Sequence, residues 1–170
     1  NLLGKIYLAT GRKERAYKIL NRALEIAGED ANLLVMASSH NSLALAYIEN
    51  GENEKAKSSF EKALDLRLKA NKPTLVCESY FNLGELYYLK EDWATAEKYY
   101  KKELKWAKNY HLLREEGDAL EAIAYAQQEQ KKLGMAFETA MSFAEKQKEM
   151  IQKGRQANQN LGENFRFQEE

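Results

Sequence analysis

The stretch LALAYIENGENEKAKSSFEKA, residues 43–63, decides the fold through the spacing of its small and aromatic side chains. Ala44 and Ala56 are small, while Tyr47 and Phe60 are large and aromatic. A small side chain lets two helix backbones approach closely, and an aromatic side chain one turn along fills the space between helices. A glycine in the middle permits the positive φ of a tight turn. The stretch therefore predicts two helices joined by a short turn.

The same pattern recurs every forty residues along the chain. Its positions are Leu3, Gly4, Tyr7 and Ala16 in the first copy, Leu43, Ala44, Tyr47, Ala56 and Phe60 in the second, and Leu83, Gly84, Tyr87, Ala96 and Tyr100 in the third. A fourth copy near Ile123 keeps small residues at Ala124 and Ala136. The two positions that are aromatic in the second copy, Tyr47 and Phe60, hold Gln127 and Ala140 in the fourth. Terminal repeats are often atypical in this way.

Repetition at one period predicts an all-α fold, a right-handed superhelical stack (α-solenoid) of about four antiparallel helix hairpins. We expect first helices near 1–10, 31–49, 73–89 and 112–130, and second helices near 13–27, 53–70, 93–110 and 133–152. The repeats should occupy residues 1–144, divided near 1–30, 31–72, 73–111 and 112–144. Residues 145–170 should form a C-terminal helix that caps the last repeat or links it to a further domain. The chain reads as a piece of a larger protein.

Composition excludes several classes of function. Hydrophobic residues make up 44% and charged residues 31%, and no stretch reaches the length and hydropathy of a membrane span. The 26 basic residues equal the 26 acidic residues, whereas a nucleic-acid binder needs a basic excess or a basic stripe. We therefore expect no membrane partner and no nucleic-acid partner. The single cysteine, Cys77, cannot form an internal disulfide, which favours the cytoplasm.

The sequence offers little material for catalysis. The two histidines, His40 and His111, have no second histidine or cysteine at metal-ligand spacing, and no glycine-rich phosphate loop occurs. Cys77 on an apolar helix face is typical of a small buried hydrophobe. Paired acids such as Glu115 and Glu116 point in different directions on a helix. The prediction is a protein that is not an enzyme and has no cofactor, metal or catalytic residues.

The repeated positions resemble the tetratricopeptide repeat, which has the pattern W-x2-L-G-x2-Y followed by A-x3-F. The resemblance covers residues 1–144. The sequence departs from the pattern at the Trp position, which holds His40, Tyr80 and Leu120, and in its period of forty residues rather than about 34. Longer helices account for the longer period. The resemblance implies a concave face, lined by the first helix of each hairpin, that binds proteins or peptides.

Helical spacing relative to the repeated Leu places the residues of this face. They are Lys5 and Leu8 in the first copy, Asn41, Leu45 and Ile48 in the second, Glu78, Phe81, Glu85 and Tyr88 in the third, and Asp118, Glu121, Tyr125 and Gln128 in the fourth. Some relatives hold a C-terminal carboxylate with Lys, Asn and Arg here, which Lys5 and Asn41 match only in part. The remainder is acidic and aromatic, and it predicts a partner with basic and apolar groups.

Three hypotheses of function remain. The first is a protein-interaction module, the scaffold or sensory part of a larger regulatory or signalling protein. The second is a self-association module, in which hairpin ends or the tail stack on another copy to form a homodimer. The third, an enzyme or nucleic-acid binder built on helical repeats, requires a polar pocket or a basic stripe that the sequence does not show.

Overall fold

A computed structural model describes residue 7, residues 10–29 and residues 32–166 of the chain. Within these residues the protein is all helical. The helices are α1 Lys13–Glu29, α2 Leu33–Glu49, α3 Asn53–Lys69, α4 Pro73–Leu89, α5 Trp93–Asn109, α6 Leu113–Glu129 and α7 Leu133–Arg166. Each helix packs on the one before and the one after it, and α4 also contacts α6. The predicted all-α stack of antiparallel hairpins is confirmed.

Helices begin every twenty residues, so a hairpin recurs every forty. The first six described helices have 17 residues each, and their ends lie within two residues of the sequence prediction. Asn32 and Asp92 begin α2 and α5, and their side chains accept hydrogen bonds from the backbone N–H groups of Val35 and Thr95. A cap of this kind stabilises a helix start because it satisfies an N–H group that has no partner within the helix.

The turns before six of the seven described helices share one conformation. Two residues before the first residue of α1, α3, α4, α5, α6 and α7, φ is positive: the residues are Gly11, Gly51, Asn71, Glu91, His111 and Lys131, with values from 49° to 74°. Two of these are glycine, which adopts positive φ without a steric penalty, and four are not. The identical turns keep successive helices antiparallel and in register.

Small residues at the repeated positions are buried where helices cross. Ala16, Ala56 and Ala96 are each 0% exposed. Gly84 lies so close to the ring of Tyr100 that a Cβ atom on Gly84 would overlap three ring carbons. This close approach brings α4 down onto α5 and lets the Tyr100 ring, which is 1% exposed, fill the interface.

The last repeat helix and the predicted C-terminal helix form one continuous helix. Separate helices at 133–152 and 145–170 are expected, but α7 runs from Leu133 to Arg166 as one helix of 34 residues and passes residues 144 and 145 without a break. Good helix formers such as those from 145 to 149 extend a helix, because none of them favours a turn.

Some of the sequence predictions concern residues that the structure does not describe. Leu3, Gly4, Lys5, Leu8 and most of the helix predicted at 1–10 lie outside the described residues. In the part of the chain that the structure describes, no helix has the length and hydropathy needed to cross a membrane.

Candidate binding groove

A groove of about 740 Å³ opens between α4 and α6, with α5 as its floor. We call it the acidic groove. It is lined by Thr74, Glu78, Phe81, Glu85 and Tyr88 from α4, by Tyr100 and Glu103 from α5, and by Arg114, Glu115, Asp118, Glu121, Ala122 and Tyr125 from α6. It exists because α4 and α6, the first helices of adjacent hairpins, touch only along a short line and leave α5 visible between them.

The acidic groove brings together seven of the residues predicted to line the concave face. They are Glu78, Phe81, Glu85, Tyr88, Asp118, Glu121 and Tyr125. Tyr125 is 55% exposed, so its ring presents a large apolar surface with a polar end. That these residues bind a partner stays a prediction.

The other predicted positions lie elsewhere. Asn41 is only 6% exposed, and its Oδ1 atom accepts a hydrogen bond of 2.9 Å from the side-chain amide of Asn82 on α4. Ile48 packs against the apolar cluster formed by α2, α3 and α4, while Leu45 is 43% exposed on α2. Gln128 borders a smaller groove of about 310 Å³ between α6 and α7.

The acidic groove has a strongly negative lining. Six carboxyl groups line it, and the lining contains one cation, Arg114. The Arg114 guanidinium lies 3.7 Å from Asp118 on the same helix, so the two charges form an ion pair. Because the charges are concentrated in a concavity with low-dielectric walls, the field attracts positively charged groups.

Two more of these acids, Glu78 and Glu85, are engaged by the fold. The buried Arg67 guanidinium lies 3.1 Å from Glu78, and the Tyr100 hydroxyl donates a hydrogen bond of 2.5 Å to Glu85. Burial, and then this bond to Glu85, raises the pKa of Tyr100, so Tyr100 stays a neutral donor. By contrast, Glu115 and Glu121 have neither a hydrogen bond nor an ion pair among the described residues. Their charges are free for a ligand.

Glu103 is the floor residue that the sequence prediction of the face omitted. Its side chain is 3% exposed, and its Oε2 atom has no hydrogen-bond partner in the described residues. Burial, followed by the charges of Asp118, Glu115 and Glu85, raises the pKa of Glu103 to about 9. The equivalent positions one and two repeats earlier hold Ala63 and Ala23. This departure from the repeat is the sequence signal that could have identified Glu103.

Aromatic side chains make the apolar part of the lining. The Phe81 ring lies 5.8 Å from the Tyr100 ring, and the Tyr88 ring packs edge-on against Trp93 at 4.7 Å. Rings held in this way lose little entropy when a ligand covers them, which suits them to binding. The combination of fixed rings and free carboxylates can hold a segment that carries both apolar and cationic groups.

The described residues contain no group of three or more His, Cys, Asp or Glu side chains that could hold a metal ion. His40 is half-buried, and burial followed by the nearby Lys62 lowers its pKa. His111 is exposed in the turn before α6. Cys77 is 0% exposed, and burial raises its pKa to about 12, so its thiolate is scarcely populated.

A regular stack of helix hairpins with an open concave groove defines the class of helical-repeat interaction proteins. Two family profiles, both described as tetratricopeptide repeat, match residues 34–109 and residues 1–30, which together make up more than half of the chain. The chain belongs to the tetratricopeptide repeat family, whose members are protein–protein interaction modules. Comparison with curated protein sequences gave no match.

Solved structures show the same fold at low sequence identity. BtubC (BKLC) from P. vanneervenii is 21% identical with a TM-score of 0.76, and the match covers 88% of this chain and 62% of BtubC. Aspartyl phosphate phosphatase F from Bacillus subtilis is 18% identical with a TM-score of 0.79, covering 86% of this chain and 39% of that one. The repeats of a putative kinesin light chain from Podosopora anserina are 17% identical with a TM-score of 0.70, covering 88% and 74%. This chain thus spans less than two thirds of the length of BtubC and of aspartyl phosphate phosphatase F.

Proposed function

We propose that this chain is a non-catalytic interaction module that holds an extended or helical protein segment with basic and apolar groups in the acidic groove. The observation that carries the proposal is the lining itself, in which free carboxylates on α6 face fixed aromatic rings on α4. Carboxylates steer a basic segment and set its register, while Tyr88, Tyr125 and Phe81 supply the apolar contact area.

The groove chemistry argues against capture of a C-terminal carboxylate. A carboxylate clamp needs unpaired Lys, Arg or Asn side chains, and the single cation of the acidic groove lies beside Asp118. Asn41 is buried, and its side-chain oxygen already accepts a hydrogen bond from Asn82. A negatively charged end would meet repulsion from the surrounding acids, which makes a cationic segment the better fit.

We further propose that the module is the scaffold or sensory part of a larger regulatory protein in the cytoplasm. The match to aspartyl phosphate phosphatase F covers only 39% of that protein, so a similar stack forms one part of a larger chain there. Within this proposal, residues 1–144 carry the repeats and residues 145–170 extend α7 as a cap or as a link to a further domain.

Charge reversal tests the groove. The probe is a pool of acetylated, amidated nonapeptides that mix arginine, lysine and leucine. We expect the double variant Glu85→Lys/Glu121→Lys to bind the pool about tenfold more weakly, because two attractive charges become repulsive. Fluorescence anisotropy measures the affinity, and circular dichroism reports whether the helices are intact.

The matched control is Glu138→Lys/Glu145→Lys, which changes the net charge equally on exposed positions of α7 outside the acidic groove. Its affinity should stay within about twofold of the original protein, since exposed charges at this distance are largely screened. Equal loss of affinity in both double variants would mean that net charge, not the groove, attracts the peptides, and the proposal would fail.

A second candidate function is self-association through α7. The face of α7 that a further hairpin would cover carries Leu133 and Phe137, each 68% exposed, and Met141, 51% exposed. The residues equivalent to Phe137 in the two preceding hairpins are charged: they are Lys57 and Glu97. An exposed apolar face of this kind is typical of an interaction site, and a second copy could cover it.

Sedimentation equilibrium distinguishes the two functions. If α7 is the self-association surface, the mass should rise with concentration towards that of a dimer, and Phe137→Glu/Met141→Glu should abolish the rise while the helical signal persists. A monomeric mass at all concentrations removes the second candidate and leaves the acidic groove as the functional surface.

A further inference from the structure

The Glu103 carboxyl is buried at the floor of the acidic groove without a partner. The side chain is 3% exposed, it lines the groove, and its Oε2 atom has no hydrogen-bond partner among the described residues. A buried polar atom without a partner destabilises a fold, and native proteins retain few of them. Such an atom requires an explanation.

The repeat itself does not need a carboxyl at this position. The equivalent residues in the other copies are Ala23, Ala63 and Phe143, all apolar. Other buried acids of the stack are paired by the fold: Glu97 lies 2.7 Å from Lys101 and 3.3 Å from Lys132. Glu103 alone among these repeat positions places an acid beneath an open groove, so its carboxyl points to a ligand rather than to packing.

Every helix around Glu103 presents charged or titratable groups to it. From α4 come Glu78 and Glu85, with Cys77 behind them; from α5 comes Tyr100; from α6 come Arg114, Glu115, Asp118 and Glu121. Glu78 and Asp118 have cations beside them, and the hydroxyl of Tyr100 is directed to Glu85. The surroundings of Glu103 therefore remain negative and supply it with no cation.

We infer that Glu103 receives a single cationic side chain of the bound segment, which enters between α4 and α6 and ion-pairs with the buried carboxylate. This inference rests on the proposed function, because the same groove holds the segment. Arginine suits the site better than lysine, since a guanidinium is weakly hydrated, donates two parallel hydrogen bonds and stacks on aromatic rings such as those of Phe81 and Tyr88.

Binding should release a proton. In the free protein Glu103 is protonated at neutral pH, because its pKa lies at about 9. An incoming guanidinium keeps its own charge and stabilises the carboxylate, so the carboxyl proton passes to the buffer. Since the free form holds a proton that the complex lacks, affinity rises with pH below about 9 and levels off above it.

The test that does not depend on a peptide uses n-butylguanidinium as the probe. The pKa of Glu103 is measured by carboxyl carbon-13 NMR, with Glu103→Gln assigning the resonance, in 50 mM n-butylguanidinium chloride and in 50 mM sodium chloride. We expect the guanidinium salt to lower this pKa relative to sodium chloride, by about half a unit for a Kd of about 25 mM, because mass action favours the ionised form that the probe binds. An identical pKa in the two salts would overturn the inference.

Peptide calorimetry separates this inference from the proposed function. Nonapeptides with arginine at the central position are compared with otherwise identical peptides carrying norleucine, in buffers of different ionisation enthalpy. We expect proton release with the arginine peptides, and its loss in Glu103→Gln. Binding without a preference for arginine and without proton release overturns the inference and leaves the proposed function standing. If n-butylguanidinium lowers the pKa but no peptide binds, the proposed function fails instead.

The glutamine variant should fold. It preserves the size of the side chain and removes the cost of ionising a buried acid. Because the folded state raises the pKa of Glu103, the native protein loses stability as pH rises from about 5 to 9. The melting temperature of Glu103→Gln should exceed that of the original protein by more at pH 8 than at pH 5.

Discussion

At the scale of single residues, the contact between Gly84 and Tyr100 fixes how closely one helix of a hairpin approaches the other. Tyr100 is 1% exposed, packs against the backbone of Gly84 and donates its hydroxyl hydrogen to Glu85 on the rim of the groove. One side chain thus connects the packing of the hairpin with the position of a groove carboxylate. Its position in the repeat made Tyr100 predictable as a packing residue, but not as part of the groove lining.

The variant Gly84→Ala should destabilise the protein by about 1–3 kcal/mol, because the new methyl group overlaps the Tyr100 ring and α4 must move. Chemical denaturation measures the free energy of unfolding. The control is Gly134→Ala, where nothing lies within 4 Å of the added Cβ. That change should raise the free energy of unfolding by up to about 1 kcal/mol through helix propensity. Similar effects at both glycines would contradict the close approach.

At the scale of helices and turns, the period of forty residues predicted the positions of more helices and turns than any single motif did. Asp92 could be recognised as a helix cap from its place before a helical stretch, and its side chain does accept the N–H of Thr95. The turns at Glu91 and Lys131 contain no glycine, yet they repeat the conformation of Gly51. Only the repeat register could have predicted positive φ there, since local turn chemistry gave no signal.

Replacement of Lys131 by glycine should stabilise the protein. Lys131 has a φ of 59°, which costs a residue with a Cβ atom about 1 kcal/mol and costs glycine nothing. We expect Lys131→Gly to raise the free energy of unfolding by about 0.5–1 kcal/mol. The same substitution at the exposed helical Lys98 should lower it by about 1 kcal/mol. A lower free energy of unfolding for both glycine variants would show that the turn at Lys131 is not strained.

At the scale of the whole molecule, the stack creates a surface that no single helix has. The helical spacing that identified Glu85, Glu121 and Tyr125 works because first helices repeat their orientation from one hairpin to the next. It missed the burial of Asn41, which accepts a hydrogen bond from Asn82 of α4, and it missed Glu103, which lies on the second helix of its hairpin. Distances between neighbouring hairpins depend on side-chain packing across the interface, so helical periodicity alone could not predict them.

A basic segment should bind in the acidic groove and not on the convex face of the stack. Site-specific photo-crosslinking measures this directly. A benzoylphenylalanine replaces either Tyr125, which lines the groove, or Lys105, which is exposed two residues beyond Glu103 on α5 and so faces away from the groove. Each protein is irradiated with the arginine- and lysine-containing peptide pool. If the segment binds in the groove, crosslinking is strong from position 125 and at background level from position 105. Equal crosslinking from both positions, or crosslinking from position 105 alone, would rule out binding in the groove.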